Sequence, residues 1–254
     1  MTKVTFRYVE WSNSYCTIRF KTCQPADEPF DLGRILRARE PITRSKRTIR
    51  GKVPDFAHGC MHHCESHNEL KAAVILVSAA HADVIKMQPF ELIYHDDGKK
   101  CRYFPDSLLV WGNELWAVEI KDDKKAEDPQ VRARYDLMAD LLATHRINFC
   151  LWKKSEICSE PQLSNARSIL RYQKCPVSPM QQERIRTMFV ADPVIPLGKF
   201  DDDDIRSVLR LVVEGKLHID WTTNLSRSSW VSISPIGEQI WPVVRKPTTF
   251  TATV

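Results

Sequence analysis

The sequence predicts a mixed α/β fold built on a sheet covered on both faces and followed by a smaller C-terminal module. Three observations carry this expectation. Between residues 65 and 152 the patterns run helix, three strands, helix, strand. The strand segments "SLLVW" and "ELWAVEIK" are apolar in both parities, as in strands packed on two sides. From Val177 onward 9 basic residues balance 9 acidic ones, so the whole net charge of +5 lies in residues 1–176. The chain is accordingly divided at 1–176 and 177–254.

Taken in order, residues 1–33 hold the alternations "VTFRYVEW" and "YCTIRF", which predict a short hairpin or an ordered arm. Residues 34–52, "RILRAREPITRSKRTIRGK", carry eight Lys or Arg against one Glu. Such a stretch suits a chain lying along a phosphate backbone, with Arg44, Lys46, Arg47, Arg50 and Lys52 as candidate DNA contacts; a solvated surface loop is the plainer alternative. "ESHNELKAAVILVSAAH" predicts a buried helix, opened by a capping box from Ser66 to Glu69. "FELIYH", a turn at Asp96-Asp97-Gly98, "CRYFPDSLLVW", a Gly112-Asn113 turn and "ELWAVEIK" predict a three-stranded meander. A helix over 130–144 and the strand "INFCLW" then add a parallel neighbour by one crossover.

The hairpin at Gly112-Asn113 is where chemistry enters. With a two-residue loop, Trp111 pairs with Glu114, and Asp106 falls opposite Glu119. Opposed residues share a face with Cβ atoms roughly 5 Å apart, and Lys121 joins them two residues on. Two carboxylates this close repel each other and raise one pKa, a penalty that a divalent cation with oxygen ligands removes. An exposed polar face is the simpler reading, but apolar residues in both parities argue for burial, where an unpaired carboxylate is costly. The upstream helix offers a third carboxylate, Glu69 or its neighbour Glu65; spacing alone leaves Glu69 open as a ligand or as a helix cap.

No apolar run approaches the ~18 residues of a membrane span, and the first residues lack a signal-peptide core. Eight irregularly spaced cysteines do not outline a disulfide framework. The expectation is a cytoplasmic protein with reduced thiols and no membrane partner.

Pro105-Asp106 followed by Glu119-Ile120-Lys121 resembles the Pro-Asp...(Asp/Glu)-x-Lys pattern of the restriction-endonuclease-like superfamily. More narrowly, the Ser66-to-Glu69 helix start, Gln88-Pro89-Phe90, the Tyr103-to-Asp106 strand and Glu119-x-Lys121 resemble the TnsA endonuclease subunits of heteromeric transposases, over about residues 44–155. The resemblance implies that Glu69, Asp106 and Glu119 hold Mg²⁺, with Mn²⁺ as a substitute. It also implies the Ile120 carbonyl as an extra ligand and Lys121 as the residue that positions or activates the attacking water. Gln88 would be a buried anchor or a contact beside the site. The implied reaction is hydrolysis of the non-transferred strand at the 5′ transposon ends. The implied partners are transposon-end DNA, an integrase-type transposase (TnsB) and an ATPase regulator (TnsC). Residues 201–234 outline a capped helix and two short strands, as in the winged-helix-like C-terminal domains of TnsA relatives, and their neutral charge suits a protein partner. Asp201 to Asp204 fit the positive end of that helix better than a metal site.

The run "HGCMHHCESH" (58–67) holds two Cys and four His and invites a zinc reading. Its Cys-x3-Cys pair lacks a second pair nearby, and the pattern does not place Cys16 or Cys23 where they would complete a site. A polar, partly buried approach to the active site is the expectation. Two rivals to the transposase reading stand: a stand-alone restriction or repair nuclease, and an inactive DNA-binding scaffold of the same fold.

Overall fold

The computed structural model describes residues 6–39 and 51–236. In chain order the elements are β1 (Arg7–Ser12), β2 (Cys16–Thr22), β3 (Ile35–Leu36), β4 (Gly51–Asp55), β5 (Cys60–Cys64), α1 (His67–Ala79), β6 (Val84–Met87), β7 (Phe90–Asp96) and β8 (Lys99–Tyr103). Then come β9 (Ser107–Trp111), β10 (Glu114–Lys121), α2 (Asp123–Ala126), α3 (Pro129–Ala143), β11 (Ile147–Lys153), α4 (Lys154–Ile157) and α5 (Gln162–Leu170). The C-terminal part adds α6 (Pro179–Ala191), β12 (Val194–Pro196), α7 (Asp202–Val213), β13 (His218–Ile219) and β14 (Trp230–Ser232). The fold is mixed α/β, as the sequence predicts.

A four-stranded sheet in the order β11-β10-β9-β6 forms the centre. β10 is antiparallel to β9 and parallel to β11, and α3 makes the crossover between β10 and β11. The alternation of β10 explains its composition. Trp116, Val118 and Ile120 enter a core shared with α1, α5 and α7, while Ala117 enters a second core shared with α3 and β2. With side chains on both faces withdrawn from water, the strand tolerates few polar residues, so the charged ones at its end stand out.

The expected three-stranded meander is divided between two sheets. β8 pairs with β7 in the order β1-β2-β7-β8, whereas β9 belongs to the central sheet. The break falls at Phe104-Pro105-Asp106: Pro105 has no N–H for a ladder and disfavours continuation through the residue before it. The N-terminal hairpin is therefore an integral part of a sheet, with Ile18 opposite Leu92 and Phe20 opposite Phe90. The start of the basic stretch also packs: Ile35 is buried, and β3 pairs with β2. Arg44, Lys46, Arg47 and Arg50 lie outside the described residues, and Lys52 is exposed on β4.

In the C-terminal part, β12-β14-β13 form a three-stranded sheet beside α6 and α7. Asp201 caps α7, its side chain accepting from the Asp204 N–H at 2.7 Å. Val208, Leu211 and Val212 of α7 belong to the same apolar core as α1 and α5, so the core runs on across residue 177. Buried Asn165 of α5 fastens the segment after β13. It donates to the carbonyls of Trp221 (3.2 Å) and Thr223 (2.8 Å) and accepts from the Leu225 N–H (3.0 Å).

Candidate active site

The register of the β9-β10 hairpin is the expected one, from Trp111 opposite Glu114 to Ser107 opposite Val118. The ladder stops there, which corrects the direct Asp106–Glu119 pairing. Asp106 sits in a bend before β9, where its carbonyl accepts from the Gln88 N–H (2.9 Å) and its carboxylate from the Ile120 N–H (2.8 Å). Asp106 thus reaches the end of β10 through its side chain, held by two backbone amides.

Glu119 is buried and fully engaged. Tyr103 donates to one carboxylate oxygen at 2.6 Å, Tyr135 to the other at 2.9 Å, and the Lys121 ammonium lies 2.6 Å from the latter. Tyr103 ends β8 and Tyr135 lies on α3, so the two sheets and the crossover helix converge on one carboxylate. Burial pushes the Tyr103 phenol well above its ordinary value, with the Glu119 charge adding to it; the same causes push Tyr135 up to about 12. Both hydroxyls therefore keep their protons and act as donors. Burial works against the Lys121 charge, but Glu119 and Asp106 outweigh it and hold the ammonium well above the usual lysine range.

Glu69 lies in the first turn of α1. Ser66 caps the helix by accepting from the Glu69 N–H (3.2 Å). The Glu69 carboxylate accepts from the Glu65 N–H (2.8 Å) rather than from Ser66, one residue earlier than a capping box requires. Burial raises its pKa. Asp106 is raised well above the ordinary carboxylate range, by burial first and then by the charges of Glu119 and Glu69. Mutual repulsion among three oxygen donors is what a hard divalent cation relieves. The three are not drawn into a tight cluster, because Glu119 is turned toward its tyrosines and lysine. Among the described residues, the group of ligand atoms lying within 4.8 Å of one another is a different one: Asp55, Cys60 and His62.

Glu65, the alternative third carboxylate, is engaged by two arginines. Arg37 (3.0 Å) and Arg39 (2.7 Å) hold it in ion pairs, and Arg37 also donates to the Gln88 side chain (3.0 Å). Gln88 is buried with φ at 47°, in the left-handed region, and it links the two roles expected of it: its side chain anchors Arg37 while its N–H fixes Asp106. Arg37 and Tyr135 are not assignable to the site from sequence, and Tyr103 enters there only as part of the strand that leads to Asp106. A tyrosine three residues before Asp106 is visible there, but nothing local shows that Tyr135, on a helix 16 residues after Glu119, points at it.

No known protein family and no curated protein matches the chain. Among solved structures, it is similar to protein VC1899 from Vibrio cholerae, with 11% identity and a TM-score of 0.28 over 41% of this chain and 32% of that one. The chain thus spans about a third of that protein's length. Among the described residues, no helix is long and apolar enough to cross a membrane.

Proposed function

We propose that the chain is a metal-dependent DNA endonuclease of the restriction-endonuclease-like superfamily, acting as the TnsA-type subunit that cuts the non-transferred strand at transposon 5′ ends. The observation that carries the reading is the group at the end of the central hairpin, where Asp106, Glu119 and Lys121 meet with Glu69 in electrostatic reach. A β6-β9-β10-β11 sheet between α1 on one face and α3 on the other agrees with such a core, and α6, α7 and the β12-β14-β13 sheet agree with a winged-helix-like module that grips a protein partner.

Asp106, Glu119 and Glu69 would hold the Mg²⁺, with the Ile120 carbonyl beside them. When bound, the ion would generate the hydroxide nucleophile and neutralise charge on the leaving 3′ oxygen. The protein residues supply the rest. Backbone amides from Gln88 and Ile120 hold Asp106 in place before any ligand arrives. Tyr103 and Tyr135 fix the Glu119 carboxylate from two sides. Lys121, held protonated, orients a water and stabilises negative charge on a phosphate rather than taking a proton. Arg37 and Arg39, two cations on the single Glu65 carboxylate, carry the sign a DNA backbone needs. The end-binding transposase and the ATPase would supply end recognition and timing.

Calorimetric titration with Mn²⁺ tests the reading without knowledge of the DNA ends. The parent and Cys60→Ser are expected to bind, and Asp106→Ala and Glu69→Ala to lose binding. Unchanged binding by Glu69→Ala would reduce that residue to a helix cap; unchanged binding by Asp106→Ala would overturn the site.

A further inference from the structure

A second cluster lies on the β4-β5 hairpin that leads into α1. In this hairpin Asp55 is the cross-strand partner of Cys60, and His62 follows Cys60 on the same face. Asp55 and His62 are almost wholly buried, while the intervening Pro54, Met61 and His63 point outward. The inward side chains converge: His62 Nε2 lies 2.9 Å from Asp55 Oδ2 and 3.8 Å from Cys60 Sγ, and all three ligand atoms fall within 4.8 Å of one another.

A catalytic triad and a plain hydrogen-bond network both fit this geometry less well than a metal site does. A nucleophilic Cys-His-Asp triad needs the thiol on one imidazole nitrogen and the carboxylate on the other. Here both approach Nε2. A hydrogen-bond network accounts for Asp55, which also meets His58 Nδ1 at 2.7 Å, but a single ring nitrogen cannot serve both Asp55 and Cys60 well. Three donors of different type aimed at one point are what a borderline-soft ion requires. A tetrahedral Zn²⁺ with its usual bond lengths sets an N-to-S ligand separation of about 3.6 Å and an N-to-O separation of about 3.4 Å. The Cys60–His62 distance is already close to this, and the Asp55–His62 distance reaches it by opening roughly half an ångström.

We propose that Asp55, Cys60 and His62 bind one Zn²⁺, with the fourth position left to a water. The ion clamps the hairpin whose second strand runs directly into the Ser66 cap of α1. His58 acts on Asp55 from outside the ligand shell, its Nε2 anchored 3.0 Å from the Ala82 carbonyl. Cys64, the other half of the Cys-x3-Cys pair, takes no part. It is buried at the end of β5, outside the group of converging ligand atoms.

The test is the zinc content of the untagged full chain. About one zinc per chain is expected after purification or after loading with Zn²⁺. Cys60→Ser and His62→Ala should lose it, His58→Ala should bind it about 10 to 100-fold more weakly, and Asp106→Asn should retain it in full. That last variant separates this proposal from the nuclease reading. Should Cys60→Ser fail to fold, the parent loaded with Co²⁺ decides the matter, since a thiolate-to-cobalt charge-transfer band is expected. A folded parent that takes up no zinc and shows no such band, or zinc held equally by the Cys60 and His62 variants, would overturn the proposal.

Discussion

Removing the two tyrosine hydroxyls tests how Glu119 is held. Tyr103→Phe deletes a 2.6 Å hydrogen bond between two buried groups and leaves the ring in place; Tyr135→Phe deletes the 2.9 Å bond to the other oxygen. A hydrogen bond to a charged group contributes about 1.5–3 kcal/mol, so Tyr103→Phe should cost about 2–3 kcal/mol, and Tyr135→Phe, where Lys121 still contacts the same oxygen, about 1.5–2 kcal/mol. In a chain of this size each kcal/mol lowers Tm by about 2–4 °C, so shifts of roughly 4–12 °C and 3–8 °C are expected. Urea unfolding of both single variants, the double variant and the same set in a Glu119→Gln background measures the coupling. The losses should shrink in the Gln background, because a neutral acceptor makes a weaker bond. A Tyr103→Phe cost under about 0.5 kcal/mol, or a cost unchanged by Glu119→Gln, would refute the idea that the tyrosines hold a carboxylate.

The raised pKa of Asp106 gives a pH prediction. The unfolded chain ionises this group near pH 4, whereas the folded chain keeps its proton longer. Stability contributed by the group is therefore greatest at acid pH and falls as pH rises from about 4 through the folded pKa. In cation-free buffer, Asp106→Asn should gain stability relative to the parent between about pH 5 and pH 8, as read from urea midpoints; a constant difference would contradict it. Asn165→Ala should cost about 2–4 kcal/mol, because it leaves the Trp221 and Thr223 carbonyls and the Leu225 N–H without their partner. Tryptophan fluorescence and far-UV signals should still fall together, since α5 and α7 share one core.

What is legible in the sequence is local or set by a short loop. Gly112-Asn113 fixes the β9-β10 register, and the apolar parities of β10 mark a two-faced strand, so Glu119 and Lys121 are found from spacing. The Asp106 bend escapes this reasoning because the pairing rule is carried one step past Ser107, although Pro105 marks the break in ladder capacity. Long-range partners are not legible: nothing near Ile18 specifies Leu92, and nothing near Tyr135 specifies Glu119. The grouping of Asp55 with Cys60 and His62 is hidden for the same reason. Along the chain Cys60 is weighed against Cys64, while its partner Asp55 lies across a hairpin turn whose position depends on Gly59, at φ 60°.

The most direct test of the central claim is strand cleavage on DNA carrying the transposon ends, with the co-encoded transposase and Mg²⁺ or Mn²⁺ present. 5′-end cleavage of the non-transferred strand is expected of the parent, abolished by Asp106→Asn and by Lys121→Ala while the transposase still cuts the other strand. Undiminished 5′ cleavage by the Asp106→Asn protein would contradict it.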